Sequence, residues 1–156
     1  MKKKPISYQT ALNKAMYLCS KAEKCISDIK QKLYSWNSKP EHHGKIIEEL
    51  LRQNFIDEKR FASYYVKDKF RFNKWGKIKI RSQLLYKKIP ESLIENALDQ
   101  ITDDEYLEML KNVINIKRKQ LKETDLFSLK NKLLRHASSK GFELDLILKV
   151  IEITKK

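Results

Sequence analysis

Three six-residue patterns recur along this 156-residue chain: Ile46-Ile47-x-x-Leu50-Leu51, Leu93-Ile94-x-x-Ala97-Leu98 and Leu146-Ile147-x-x-Val150-Ile151, 47 and 53 positions apart. Apolar residues in pairs four apart form one stripe of an α-helix, since each residue advances the helix by about 100°. A second pattern precedes each of them, the i, i+4 pairs Ile29 and Leu33, Ile80 and Leu84, and Leu129 and Leu133. A helical unit that recurs at about 50 residues buries its apolar face against its neighbours, and stacking makes an array with a long surface instead of a deep pocket. The expected fold is therefore all-α, an elongated, curved array of three tandem three-helix repeats. Its divisions are a basic flexible tail at 1–9 and repeats at 10–54, 55–101 and 102–156. Three Gly and three Pro in the whole chain agree, because a sheet protein needs more turn residues than that.

The helix signals are local. Thr10 is the expected N-cap of the first helix, a second spans 22–36, and Pro40 opens a third that runs to Asn54. Asp57 caps a fourth, expected to bury Phe61, Ala62, Tyr65 and Phe72. Gly76 is expected to close that helix with a positive φ. The next helix, 77–88, has Ile80 and Leu84 on one side and Ile78 and Leu85 on the other, which predicts that it is wedged between two neighbours. Thr102 and Glu105 have the spacing of a capping box.

Charge narrows the function. The chain has 34 Lys and Arg against 20 Asp and Glu, a formal charge of +14, and attracts polyanions. Between Lys67 and Lys88 the imbalance is nine to one, with Asp68 the one acid. The candidate binding residues are Lys67, Lys69, Arg71, Lys74, Trp75, Lys77, Lys79, Arg81, Lys87 and Lys88, where cations meet phosphates or carboxylates and an aromatic ring contacts a base. Phe70 and Trp75 are the aromatics expected at the surface.

Other chemistry finds little support. There is no phosphate-cradling glycine loop, no nucleophile elbow and no metal-ligand spacing among His42, His43, His136, Cys19 and Cys25. No catalytic residue, metal or cofactor is expected. Two cysteines make no disulfide framework, and no apolar run reaches the length of a membrane span or signal peptide. These features agree with a cytoplasmic protein. A DNA-binding transcription regulator is the competing reading, with 77–88 as recognition helix, but the apolar Ile78 and Leu85 leave that helix little polar surface for base edges.

The run Phe55-Ile56-Asp57-Glu58-Lys59-Arg60-Phe61-Ala62, then Tyr65-Val66, Lys74-Trp75-Gly76-Lys77-Ile78-Lys79-Ile80, Leu84 and Lys88-Ile89, resembles the RecX family of RecA regulators. Many members carry a glycine between the lysine and the apolar residue that are adjacent here as Lys88-Ile89. The resemblance implies a monomeric, non-enzymatic modulator that binds the RecA–single-stranded DNA filament and inhibits its extension, ATPase and strand exchange. Such a protein would modulate recombination, DNA repair and the SOS response. Its partners would be the RecA filament and DNA without sequence preference, single-stranded first and double-stranded second, and no membrane. Within the motif, Asp57, Arg60, Phe61, Ala62, Gly76, Ile80 and Leu84 are expected to hold the structure and the cations to meet the filament.

Overall fold

The computed structural model describes residues 4–122 and 125–155. Among them are nine helices: α1 (Tyr8–Lys21), α2 (Ile26–Ser35), α3 (Pro40–Arg52), α4 (Glu58–Arg71), α5 (Lys77–Tyr86), α6 (Glu91–Leu98), α7 (Asp103–Gln120), α8 (Leu126–Ser139) and α9 (Leu144–Ile153). They pack in three successive triplets, each helix lying chiefly against the other two of its own triplet. The accessible surface is 10173 Å², whereas a compact monomer of 18.6 kDa exposes about 8,200 Å². The excess belongs to an elongated array.

Several helix ends differ from expectation. Ser7, not Thr10, caps α1, its hydroxyl accepting the Thr10 N–H at 3.1 Å. Helix α2 begins at Ile26 because residues 22–25 leave the helical path, and the Asp28 carboxylate accepts the Cys25 N–H at 3.3 Å. Of the expected tail, Met1, Lys2 and Lys3 lie outside the described residues. Ile6 is held in a backbone bridge to Ser38.

The second helix of every triplet ends in the same way. Asn37, Lys88 and Gly141 take the left-handed conformation, with φ of 56°, 63° and 98°. The next amide then reaches back to the helix, from Ser38 to the Leu33 carbonyl, Ile89 to Leu84 and Phe142 to Ala137. These are Schellman closures, and they fix the angle at which the third helix departs. That third helix starts three residues on each time, at Pro40, Glu91 and Leu144.

These anchors set the repeat register at 51 and 53 residues and correct both sequence patterns. Ile46 is equivalent to Ala97 and Val150, not to Leu93 and Leu146, and Ile80 is equivalent to Leu133, not to Leu129. Burial agrees: Leu133 and Ala137 are 1% and 0% exposed, like Ile80 and Leu84 at 0%. Each pattern had slipped one helical turn in one comparison, because an i, i+4 apolar pair looks the same after a shift of four.

The core has two parts. Ala11, Leu12, Ala15, Ile29, Leu33, Ile46, Ile47, Leu50 and Ile56 form one within the first triplet. The second and third triplets share the other, which also receives Cys25. Burial pushes the Cys25 thiol up to about 11, which keeps it protonated and unreactive.

The two joints differ in kind. Side chains make the first: Arg60 Nε donates to Glu23 at 2.6 Å, Lys87 Nζ to Asp28 at 2.7 Å, and the Ile26 N–H to Glu58 at 3.3 Å. Main chain makes the second, with the Gly76 N–H on the Lys140 carbonyl at 2.8 Å and the Ile78 N–H on the Gly141 carbonyl at 3.0 Å. Tyr106 completes it, its hydroxyl accepting the Lys77 N–H at 2.9 Å and donating to Glu143.

Helix α5 is not wedged between neighbours as expected. Both of its helical partners, α4 and α6, pack on the Ile80 and Leu84 side, and the third triplet reaches it at its first turn. Ile78 and Leu85 are left 49% and 43% exposed.

Candidate polyanion-binding surface

The surface grows from the turn between α4 and α5. Asp57 starts α4, its carboxylate accepting the Arg60 N–H at 3.0 Å. Phe61, Ala62, Tyr65, Val66 and Phe70 of α4 are buried. After the C-cap Phe72, Lys74 takes a left-handed φ of 57°, and the Trp75 N–H returns to the Lys69 carbonyl at 3.1 Å. Gly76 is the N-cap of α5 with a φ of −78°, so the positive φ expected there belongs to Lys74. What requires glycine at 76 is contact: a Cβ would lie 2.4 Å from the Gly141 carbonyl carbon and oxygen.

Around this turn the cations crowd one another. Trp75, half-buried against the core, has the Lys69 ammonium 5.3 Å and the Lys79 ammonium 4.5 Å from its ring centre, within cation–π range. Lys140, from the loop between α8 and α9, joins them, its Nζ donating to the Asn73 carbonyl at 3.0 Å. Burial first, and then the charges of Lys79 and Lys74, hold the Lys140 ammonium below its ordinary value. Lys74, Lys79 and Lys140 have no ion-pair partner among the described residues. Asp68, the acid nearest in sequence to Lys74 and Lys79, sits 3.8 Å from Lys69, and Glu143, three residues beyond Lys140, accepts from the Tyr106 hydroxyl.

The other candidates are dispersed. Arg71 and Lys74 line a groove whose far wall carries Glu105, Glu108 and Lys111. Lys67 is exposed on the side of α4 that faces α6, beside Lys59, Tyr64 and Gln100. Lys77 lies over the Tyr106 ring at 5.2 Å, and Lys88 is exposed at the other end of α5. Two expected contacts are engaged internally. The Arg81 guanidinium grips Glu95 at 2.7 and 3.1 Å, which holds the Glu95 carboxyl below the usual range. Lys87 lies against Asp28 and the Phe61 ring.

Two aromatic assignments are exchanged. Phe70 is buried and stacks on Tyr106 of α7, ring centres 6.1 Å apart, whereas Phe72 is 79% exposed. The cause is non-local: α7 meets the last turn of α4 on the Phe70 side, through Tyr106, and among the described residues nothing covers Phe72 on the other. Sequence reading thus missed Phe72 and Lys140. For Lys140 the signal was the pair Gly76 and Gly141, which lets two backbones touch and brings the third triplet to the turn.

Three tandem three-helix units, with basic side chains gathered at the second joint, define an all-helical repeat protein. Among the described residues no group of three or more His, Cys, Asp or Glu could hold a metal ion, and no helix is long and apolar enough to cross a membrane. Residues 57–98 match the family model for the second three-helix domain of RecX. The regulatory protein RecX of Clostridium acetobutylicum is 29% identical over 150 residues, covering 94% of this chain and 69% of that protein. The regulatory protein RecX of Clostridioides difficile is 28% identical, with 92% and 68% covered. The one from Clostridium botulinum strain Eklund 17B is 34% identical over 110 residues, with 69% and 51% covered. The chain thus spans about half to two thirds of the length of these relatives. The crystal structure of RecX from Lactobacillus salivarius superimposes with a TM-score of 0.80 at 23% identity, covering 94% of this chain and 95% of that one. A crystal structure of regulatory protein RecX gives 0.85 at 24%, covering 93% and 73%. The chain belongs to the RecX family.

Proposed function

We propose that this protein regulates RecA without breaking or making a covalent bond. It binds the RecA–single-stranded DNA filament through the patch formed by Lys69, Lys74, Lys79 and Lys140 around Trp75, supported by Arg71, and so slows filament extension, ATP hydrolysis and strand exchange. Its role is then to restrain recombination, DNA repair and the SOS response. The observation that carries this reading is the meeting of unpaired lysines from the second and third triplets at one turn. An anionic fibre that spans both triplets compensates that charge, and counterion release drives the binding. Arg81 and Lys87 are excluded from the contact set because Glu95 and Asp28 already neutralise them. Sequence-specific DNA reading has weaker support, since the outward positions of α5 include Ile78, Leu85 and Tyr86 and offer few polar groups to base edges.

The test is RecA ATP hydrolysis on single-stranded DNA while the protein is titrated in. Inhibition at stoichiometric amounts is expected, and it should disappear in the triple variant Lys74→Glu, Lys79→Glu, Lys140→Glu with the helical circular dichroism unchanged. Full inhibition by the folded triple variant would overturn the assignment of the surface. No inhibition by the unmodified protein would overturn the function.

A further inference from the structure

Phe72 has the most exposed large apolar side chain among the described residues, at 79%. It is the C-cap of α4, at the mouth of the basic turn. Lys69 precedes it by three, the helical spacing that puts two side chains side by side. Arg71 and Asn73 flank it and are exposed, and Lys74 follows in its left-handed conformation. Of the acids nearby, Asp68 is engaged with Lys69 at 3.8 Å, and Glu105 and Glu108 stand across the groove that Arg71 and Lys74 line.

A protein partner needs a contiguous apolar area to bind such a ring, and the neighbours of Phe72 in the chain are polar or charged. A nucleobase needs only one flat face, and the adjoining cations take its phosphates. In a duplex both faces of each base are already covered, so this arrangement selects unpaired strands. We propose that Phe72 is a stacking platform for one base of single-stranded DNA, with Lys69, Lys74, Lys79 and Lys140 on the adjacent phosphates. This deepens the functional reading above by assigning the strand its point of contact.

The experiment needs no RecA. Fluorescence anisotropy of a labelled oligothymidylate and of a labelled duplex of equal length gives affinities for the intact protein and for Phe72→Ala, Phe72→Leu and Phe72→Trp. Because the ring is exposed, all three variants should keep the native helical signal. Phe72→Ala and Phe72→Leu should bind the single strand about tenfold more weakly, the worth of one stacked base, with unchanged duplex affinity and unchanged salt slope. Phe72→Trp should bind like the parent. Single-strand affinity of Phe72→Ala within about twofold of the parent overturns the proposal, since a stack is worth more than that. So does an equal loss on the duplex, or full affinity in Phe72→Leu. If the intact protein does not bind the oligothymidylate, this inference falls and a direct contact with RecA stands. If it binds the strand yet leaves RecA hydrolysis untouched, the regulatory reading falls and the stack stands.

Discussion

Replacing Gly76 by alanine attacks the second joint directly. The added methyl would stand 2.4 Å from the carbonyl carbon and oxygen of Gly141 and 2.5 Å from the amide nitrogen of Phe142. All three are main-chain atoms, so no side chain can turn aside and the two triplets must separate. Separation weakens the bonds from Gly76 to Lys140 and from Ile78 to Gly141, at 2.8 and 3.0 Å, each worth about 1 kcal/mol net. Overpacking adds about 1–3 kcal/mol, which gives a loss of about 3–5 kcal/mol, a large share of the stability of an ordinary domain. Gly44 is the control: it lies inside α3 with nothing within 4 Å of a Cβ, so Gly44→Ala should stabilise by about 0.5–1 kcal/mol through helix propensity alone. Urea denaturation followed by circular dichroism measures both, and hydrogen exchange at the Gly76 and Ile78 amides reports the joint itself. If Gly76→Ala stays within about 0.5 kcal/mol of the parent with those amides still protected, the account of a rigid main-chain joint is wrong.

Three further outcomes follow from the geometry. Lys88 carries a left-handed φ of 63° with a full side chain, so Lys88→Gly should raise the midpoint of urea unfolding by about 0.5–1 kcal/mol equivalent. Tyr106→Phe deprives the Lys77 N–H and Glu143 of their shared hydroxyl and should cost about 1–3 kcal/mol in the same assay. Burial pushes the Asp28 carboxyl up, but the Lys87 hydrogen bond and charge outweigh it, and the net value lies below the ordinary one. A depressed carboxyl contributes stability at neutral pH that is lost as pH falls through its folded value, below the usual carboxylate range. Asp28→Asn should therefore lower neutral stability by about 1–2 kcal/mol and flatten the acid limb of a stability–pH profile, and an unchanged acid limb would contradict this.

Element type and order were readable because long apolar stripes at helical spacing, caps such as Asp57 and Thr102, and the scarcity of Gly and Pro all point the same way. The register was not, since a helix stripe shifted by one turn still superimposes on itself. The left-handed residues that resolve it include Asn37 and Lys88, which give a weaker local signal than glycine. At the surface the limit was separation in sequence. Arg81 meets Glu95 fourteen residues away and Lys87 meets Asp28 fifty-nine away, so their charges looked free. The helical wheel placed Phe70 and Phe72 on opposite sides of α4, but it carries no information about which side a later helix covers.

The contrast between the joints has a mechanical consequence. The angle between the first and second triplets is set by the lengths and charges of a few side chains, so ionic strength, pH or a single substitution can retune it. The angle between the second and third is set by two peptide planes in contact, by the Tyr106 hydroxyl held between Lys77 and Glu143 and by a core common to both units, which leave far less to retune. This molecule therefore has a stiff rear section of two units and a steerable front one.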